Sequence, residues 1–142
     1  NVAVQKKDTE NLWTHIAQKA NAGTLDYVFH LGDNLYMDSF STENPNEPYK
    51  KCSEILKATP KDQWDSKAEE VREVLRDEYR RCFGHKCKRA ALANAPALMI
   101  NDDHEVRDDW GWRDEDGNPS TDKLDYFYGQ RAREVYYEYQ RQ

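Results

Sequence analysis

The chain has 142 residues, of which 37% are hydrophobic and 34% charged, with a formal net charge of -6 and a mean hydropathy of -1.13. One domain fits that length, but the apolar share is low for a chain burying a core by itself, which points to a segment of something larger. An acidic balance without a basic stripe argues against binding a nucleic-acid phosphate backbone, no run approaches the ~20 apolar residues of a membrane helix, and the start has no signal-peptide core.

Nine Tyr and four Trp argue for folded structure, because disordered chains are poor in large rings. Interspersed charges of both signs predict helices with solvated faces. Between Asp8 and Gly23, Leu12, Trp13, Ile16, Ala17 and Ala20 recur at helical spacing, with Asp8 or Thr9 as N-cap and Gly23 as stop. The apolar run ending in Val28-Phe29-His30-Leu31 predicts a strand over 26–31, buried on both faces as in a parallel sheet. Residues 38–48 read as a surface loop and 49–58 as a short helix.

From Ser66 to Phe83, Ala68, Val71, Leu75, Tyr79 and Cys82 mark one helix face, with Ser66 and Glu69 spaced as a capping box. A basic helix over 86–94 precedes a second buried strand, Ala97-Leu98-Met99-Ile100, and an acidic loop over 101–122. The last helix starts near Asp122, and its face of Leu124, Phe127, Tyr128, Ala132, Val135 and Tyr139 requires a packing partner: the remainder of the same domain or a neighbouring chain. The order implies a helix-rich α/β architecture with the two strands side by side. Cys52, Cys82 and Cys87 match neither a complete disulfide framework nor two CxxC zinc pairs, so the redox compartment stays open.

Two polar runs begin where a predicted strand ends, which is where open α/β sheets place ligands. In His30-Leu31-Gly32-Asp33-Asn34-Leu35-Tyr36, Gly32 permits a sharp exit and presents the Asp33 carboxylate at the strand tip, where it suits a hard cation or, equally, an Asx-type turn cap. Tyr36, three residues on, can face the same point. In Asn101-Asp102-Asp103-His104-Glu105, continuing to Asp108-Asp109, the carboxylates are dense enough to resist joint ionisation without a cation or basic partners. Arg107 and Arg113 are nearby cations for phosphoryl charge. His30 reads as a core histidine supporting the loop, and the His85 spacing between Cys82 and Cys87 fits no zinc pattern.

These two blocks resemble the alkaline phosphatase D-like branch of the calcineurin-type metallophosphoesterases, in which a strand-end Gly-Asp-x-x-Tyr block after His-Leu is followed by a strand-end Asp-Asp-His-Glu block. Both occur here, as Gly32–Tyr36 and Asp102–Glu105, and the similarity spans roughly Leu12 to Tyr137. Asn101 stands where relatives often have an aromatic residue. The resemblance implies part of a metallophosphoesterase-type α/β sandwich that hydrolyses phosphate esters at a two-metal centre. By position Asp33 would bridge two ions, Tyr36 would ligate one through its phenolate, Asp103 would bind the second, and His104 would face the substrate as the catalytic group. Ferric iron with calcium, or another divalent pair, is the implied cofactor set. The family's first ligand lies upstream of the equivalent of Asn1 and later ones downstream of Gln142, so residues 1–142 would hold a partial site. Exported relatives imply an extracytoplasmic location. The competing expectation is an idle phosphatase-fold scaffold; a calcium-binding structural segment ranks last, because the 102–116 spacing is not that of an EF-hand loop.

Overall fold

A computed structural model describes residues 8–38, 47–112, 116 and 123–140. Helix α1 spans Asp8–Asn21, strand β1 Val28–Leu31, helix α2 Pro48–Lys57, helix α3 Ala68–Phe83, helix α4 Lys86–Asn94, strand β2 Ala97–Ile100 and helix α5 Leu124–Gln140. Two 3-10 segments, Lys61–Lys67 and Asp103–Glu105, complete the order. Each predicted helix and strand is present, so the chain is a helix-rich α/β structure.

The strands pair in parallel, Val28 opposite Ala97 and Leu31 opposite Ile100. That register sets the two strand ends side by side, and the two polar runs therefore leave the sheet as neighbours. Burial alternates along both strands. Leu31 is 77% exposed and Phe29 64%, with Leu98 and Ile100 each 56%. The expectation of strands buried on both faces is thus corrected: an unbroken apolar run cannot distinguish a two-sided from a one-sided strand. On the inner face His30 stacks on Trp13 of α1 at 5.7 Å.

The core lies between α2, α3 and α5. Val71, Leu75 and Tyr79 of α3 meet Cys52 and Leu56 of α2 and Tyr128, Ala132 and Val135 of α5, and each of these side chains is fully buried. The α5 face expected to need a partner finds it inside the chain, in α2 and α3. Rings supply much of this contact: Tyr79 stacks on Tyr139 at 4.7 Å and Tyr49 meets Tyr128 edge-on at 5.0 Å. Outside, Arg72 and Arg76 of α3 bond Glu134 and Glu138 of α5 at 2.8 and 2.7 Å.

The Ser66–Glu69 capping box does not form. The stretch before α3 winds as a 3-10 helix instead, and Ser66 Oγ donates to the Gln63 carbonyl at 2.7 Å. A capping box does form where none was expected, between Asp102 and Glu105.

Candidate metal centre

Gly32 has φ +99, and a Cβ there would stand 2.6 Å from the Asp102 Cβ. Glycine therefore serves two needs at once, a left-handed exit from β1 and close contact with the second loop. Asp33 follows at φ 49, a conformation uncommon for a residue with a side chain and found preferentially where function holds it. Its Oδ2 accepts the Tyr36 hydroxyl at 3.0 Å, so the three-residue spacing does turn both groups to one point. Its Oδ1 is buried and, among the described residues, has no hydrogen-bond partner. One carboxylate oxygen from each of Asp33, Asp102 and Asp103 lies within 4.8 Å of the others, and the same holds for ligand atoms of Asp103, His104 and Asp108. An orphaned buried oxygen beside two further carboxylates fits a hard cation, since only a positive charge relieves both the missing bond and the repulsion.

Burial and the Asp33 hydrogen bond, then the charges of Asp33, Glu105 and Asp103, raise the Tyr36 phenol above its ordinary pKa. The ring is 40% exposed while its neighbours Leu35 and Met37 are buried, and it lies against the His104 ring at 4.4 Å. Asp103 Oδ2 accepts the Asp109 amide at 2.6 Å.

His104 is buried, with Nδ1 2.8 Å from Asp38 Oδ1. Asp38 Oδ2 in turn accepts the Asp108 amide at 2.7 Å, so one carboxylate both orients the imidazole and holds the loop beyond it. Burial works against a charged imidazole, but the hydrogen bond and charge of Asp38, helped by Asp103 and Asp33, outweigh it and lift the His104 pKa. Asp38 had no signal in the sequence, lying at the start of a polar loop, 66 residues from its partner.

Arg107, expected to meet phosphoryl charge, is turned inward. It is 4% exposed, ion-paired with Asp116, with Nη1 donating to the Asp108 carbonyl at 2.8 Å, Nε 3.5 Å from Asp125 and its guanidinium over the Trp110 ring. Its partners Asp116 and Asp125 follow it in the chain, outside the Asp102–Glu105 block. Arg113 lies outside the described residues.

Glu105 is the largest departure from the sequence reading, which gave it no role beyond its motif. It is fully buried. Burial raises its pKa, opposed by the amides of Asp102 and Asn34 and by the Gln140 side chain. His30 supports the first loop as expected: Nδ1 meets Asn34 Oδ1 at 2.8 Å.

No curated protein and no solved structure matches the chain. The family model for PhoD-like phosphatases matches residues 5–141, nearly its whole length. With both strand-end blocks folded against each other inside that match, the chain belongs to the PhoD-like phosphatase family.

Proposed function

We propose that this chain forms part of a metal-dependent phosphoesterase acting on phosphate monoesters or diesters, with Asp33, Tyr36 and Asp103 as metal ligands and His104 as the catalytic group. The buried Asp33 Oδ1, unpartnered among the described residues and beside the carboxylates of Asp102 and Asp103, carries the reading. Family membership adds the phosphoesterase class. Ferric iron with calcium, or a divalent pair, suits a donor set of carboxylates and a phenol, all hard oxygens. When bound, such ions polarise a phosphoryl oxygen and activate water for in-line attack.

The chain's own residues would act around that chemistry. Asp33 and Asp103 hold charge at the strand tips. Tyr36 gives up its hydroxyl proton on becoming a ligand. His104, oriented at Nδ1 by Asp38, keeps a proton on Nε2 for the leaving oxygen. Arg107 is left out of substrate binding because its guanidinium is committed to Asp116 and Asp125. On this reading the remaining ligands come from sequence outside this segment, and an extracytoplasmic location follows by analogy with exported members. Among the described residues, no helix is long and apolar enough to cross a membrane.

The test is hydrolysis of p-nitrophenyl phosphate and bis(p-nitrophenyl) phosphate by the full protein and by His104→Ala. The variant should keep its metal and lose roughly 100-fold or more in kcat, the scale of a missing general acid. An unchanged kcat would remove His104 from the mechanism, and no hydrolysis by a folded, metal-loaded wild type would favour the scaffold.

A further inference from the structure

Asn34, the residue after Asp33, has each of its polar groups held. Its amide donates to Glu105 Oε1 at 2.6 Å, its carbonyl accepts Lys88 Nζ at 3.0 Å, and its Nδ2 donates to the Ile100 carbonyl at 3.0 Å and to Gln140 Oε1 at 2.7 Å. His30 holds its Oδ1. The other oxygen of Glu105, Oε2, accepts the Asp102 amide at 2.8 Å. A single buried carboxylate therefore bonds the backbone of both strand-end loops, one residue after Asp33 on one side and one residue before Asp103 on the other.

The strand register alone brings these loops near each other; it ends at Leu31 and Ile100. Beyond it the two chains continue as irregular backbone, joined further on by the Met37 amide donating to the His104 carbonyl at 3.0 Å, while Glu105 bonds the residues directly beside the two ligand carboxylates. Its charge is offset from the far side of Asn34 by Lys88, which is 4% exposed. Lys88 also sits over the Phe83 ring at 4.2 Å. A buried ion survives only when hydrogen bonds and a counter-charge compensate its lost hydration, and here both are aimed at the metal loops. Gln140 then ties the hub to the core by donating to Tyr79 Oη at 3.0 Å.

We propose that Glu105 is a positioning residue for the metal centre: through the amides of Asn34 and Asp102 its carboxylate sets the separation of Asp33 from Asp103, and with it the affinity for the cation. This rests on the metal reading above. Glu105→Gln keeps the volume but supplies one acceptor where two amides now bond, so one loop is released. Asn34→Ala removes the side-chain ties without leaving a buried charge unpaired, and serves should the first variant fail to fold.

Mn2+ affinity of the full protein, read by titration calorimetry, decides the matter when set beside thermal unfolding. Both variants should bind Mn2+ about 10- to 100-fold more weakly, the range for outer ligand supports. Val135→Ala, a core truncation on α5 that removes none of the polar ties to the loops, should lower Tm and leave the Mn2+ affinity within about twofold. If folded Glu105→Gln and Asn34→Ala bind as tightly as wild type while Asp33→Ala does not bind, the positioning role is wrong and the metal site stands. If wild type and Asp33→Ala bind alike, the metal reading itself fails.

Discussion

Gly32 ties the backbone of the first loop to the side chains of the second. At φ +99, with Asp102 Cβ 2.6 Å from where its own Cβ would be, alanine meets both a left-handed penalty of about 1–2 kcal/mol and a clash with a chain carrying two candidate ligands. Gly32→Ala should lower the urea midpoint and weaken metal binding together, as measured on one preparation. A stable variant with unchanged metal affinity would mean that the two loops do not touch as described. The candidate residues Asp33, Tyr36, Asp103 and His104 stand out in the sequence because each sits in a local pattern, a strand-end glycine or an acid-acid-histidine run. Asp38, Asn34 and Glu105 do not, since the bonds that join them across the two loops link residues 66 to 71 apart and leave no periodic trace. Arg107 is the converse case. Its neighbours in sequence suggested phosphate, whereas its neighbours in space are Asp116 and Asp125.

Helix α5 packs directly against the acidic loop at Gly129. A Cβ on Gly129 would stand 1.9 Å from the Trp110 ring, so the indole lies directly on the helix backbone, and Arg107 packs over its other atoms at 5.2 Å. Gly129→Ala should displace Trp110 and cost about 1–3 kcal/mol, as overpacking does, outweighing the helix propensity gained. Thermal unfolding with tryptophan fluorescence measures both effects, and an unchanged spectrum with raised stability would contradict the contact. The charge pairs along α3 and α5 are a different case. Arg76 donates to Glu138 at 2.7 Å, yet exposed pairs of this kind contribute about 0–1 kcal/mol, so the helices are held by Val71, Leu75 and Val135 rather than by their charges. Helical periodicity made α3 and α5 legible for that reason. Ser66–Glu69 and Asp102–Glu105 share one capping-box signature, and only the second closes, because Ser66 donates its hydroxyl back to the Gln63 carbonyl.

At the scale of the molecule, a buried thiol and a half-buried phenol set an alkaline limit. Burial lifts the Cys52 thiol from 9.0 to about 12, and burial with the Asp125 hydrogen bond lifts the Tyr49 phenol from 10.0 to about 12. Both pKa values are higher folded than unfolded, so their contribution is fully present below about pH 9 and is lost as pH rises towards 12, at about 1.4 kcal/mol per pH unit per group. The urea midpoint should therefore fall steeply between pH 9 and 12, and Cys52→Ala should fall less steeply; identical slopes would show that the thiol titrates normally. The exposed sheet face is the other feature at this scale. Leu31, Phe29, Leu98 and Ile100 are apolar and open, which agrees with the low overall hydropathy in placing the burial of this chain in its helices and leaving one side of its sheet uncovered.

The two strand ends form one proposed metal centre built around the Asp33 oxygen that has no partner among the described residues. Elemental analysis of the full protein, purified in parallel as wild type and as Asp33→Ala and checked for folding by circular dichroism, tests it most directly. Stoichiometric metal is expected in the wild type, with most of it lost in the folded variant. Equal metal content in both, or none in either, would contradict it.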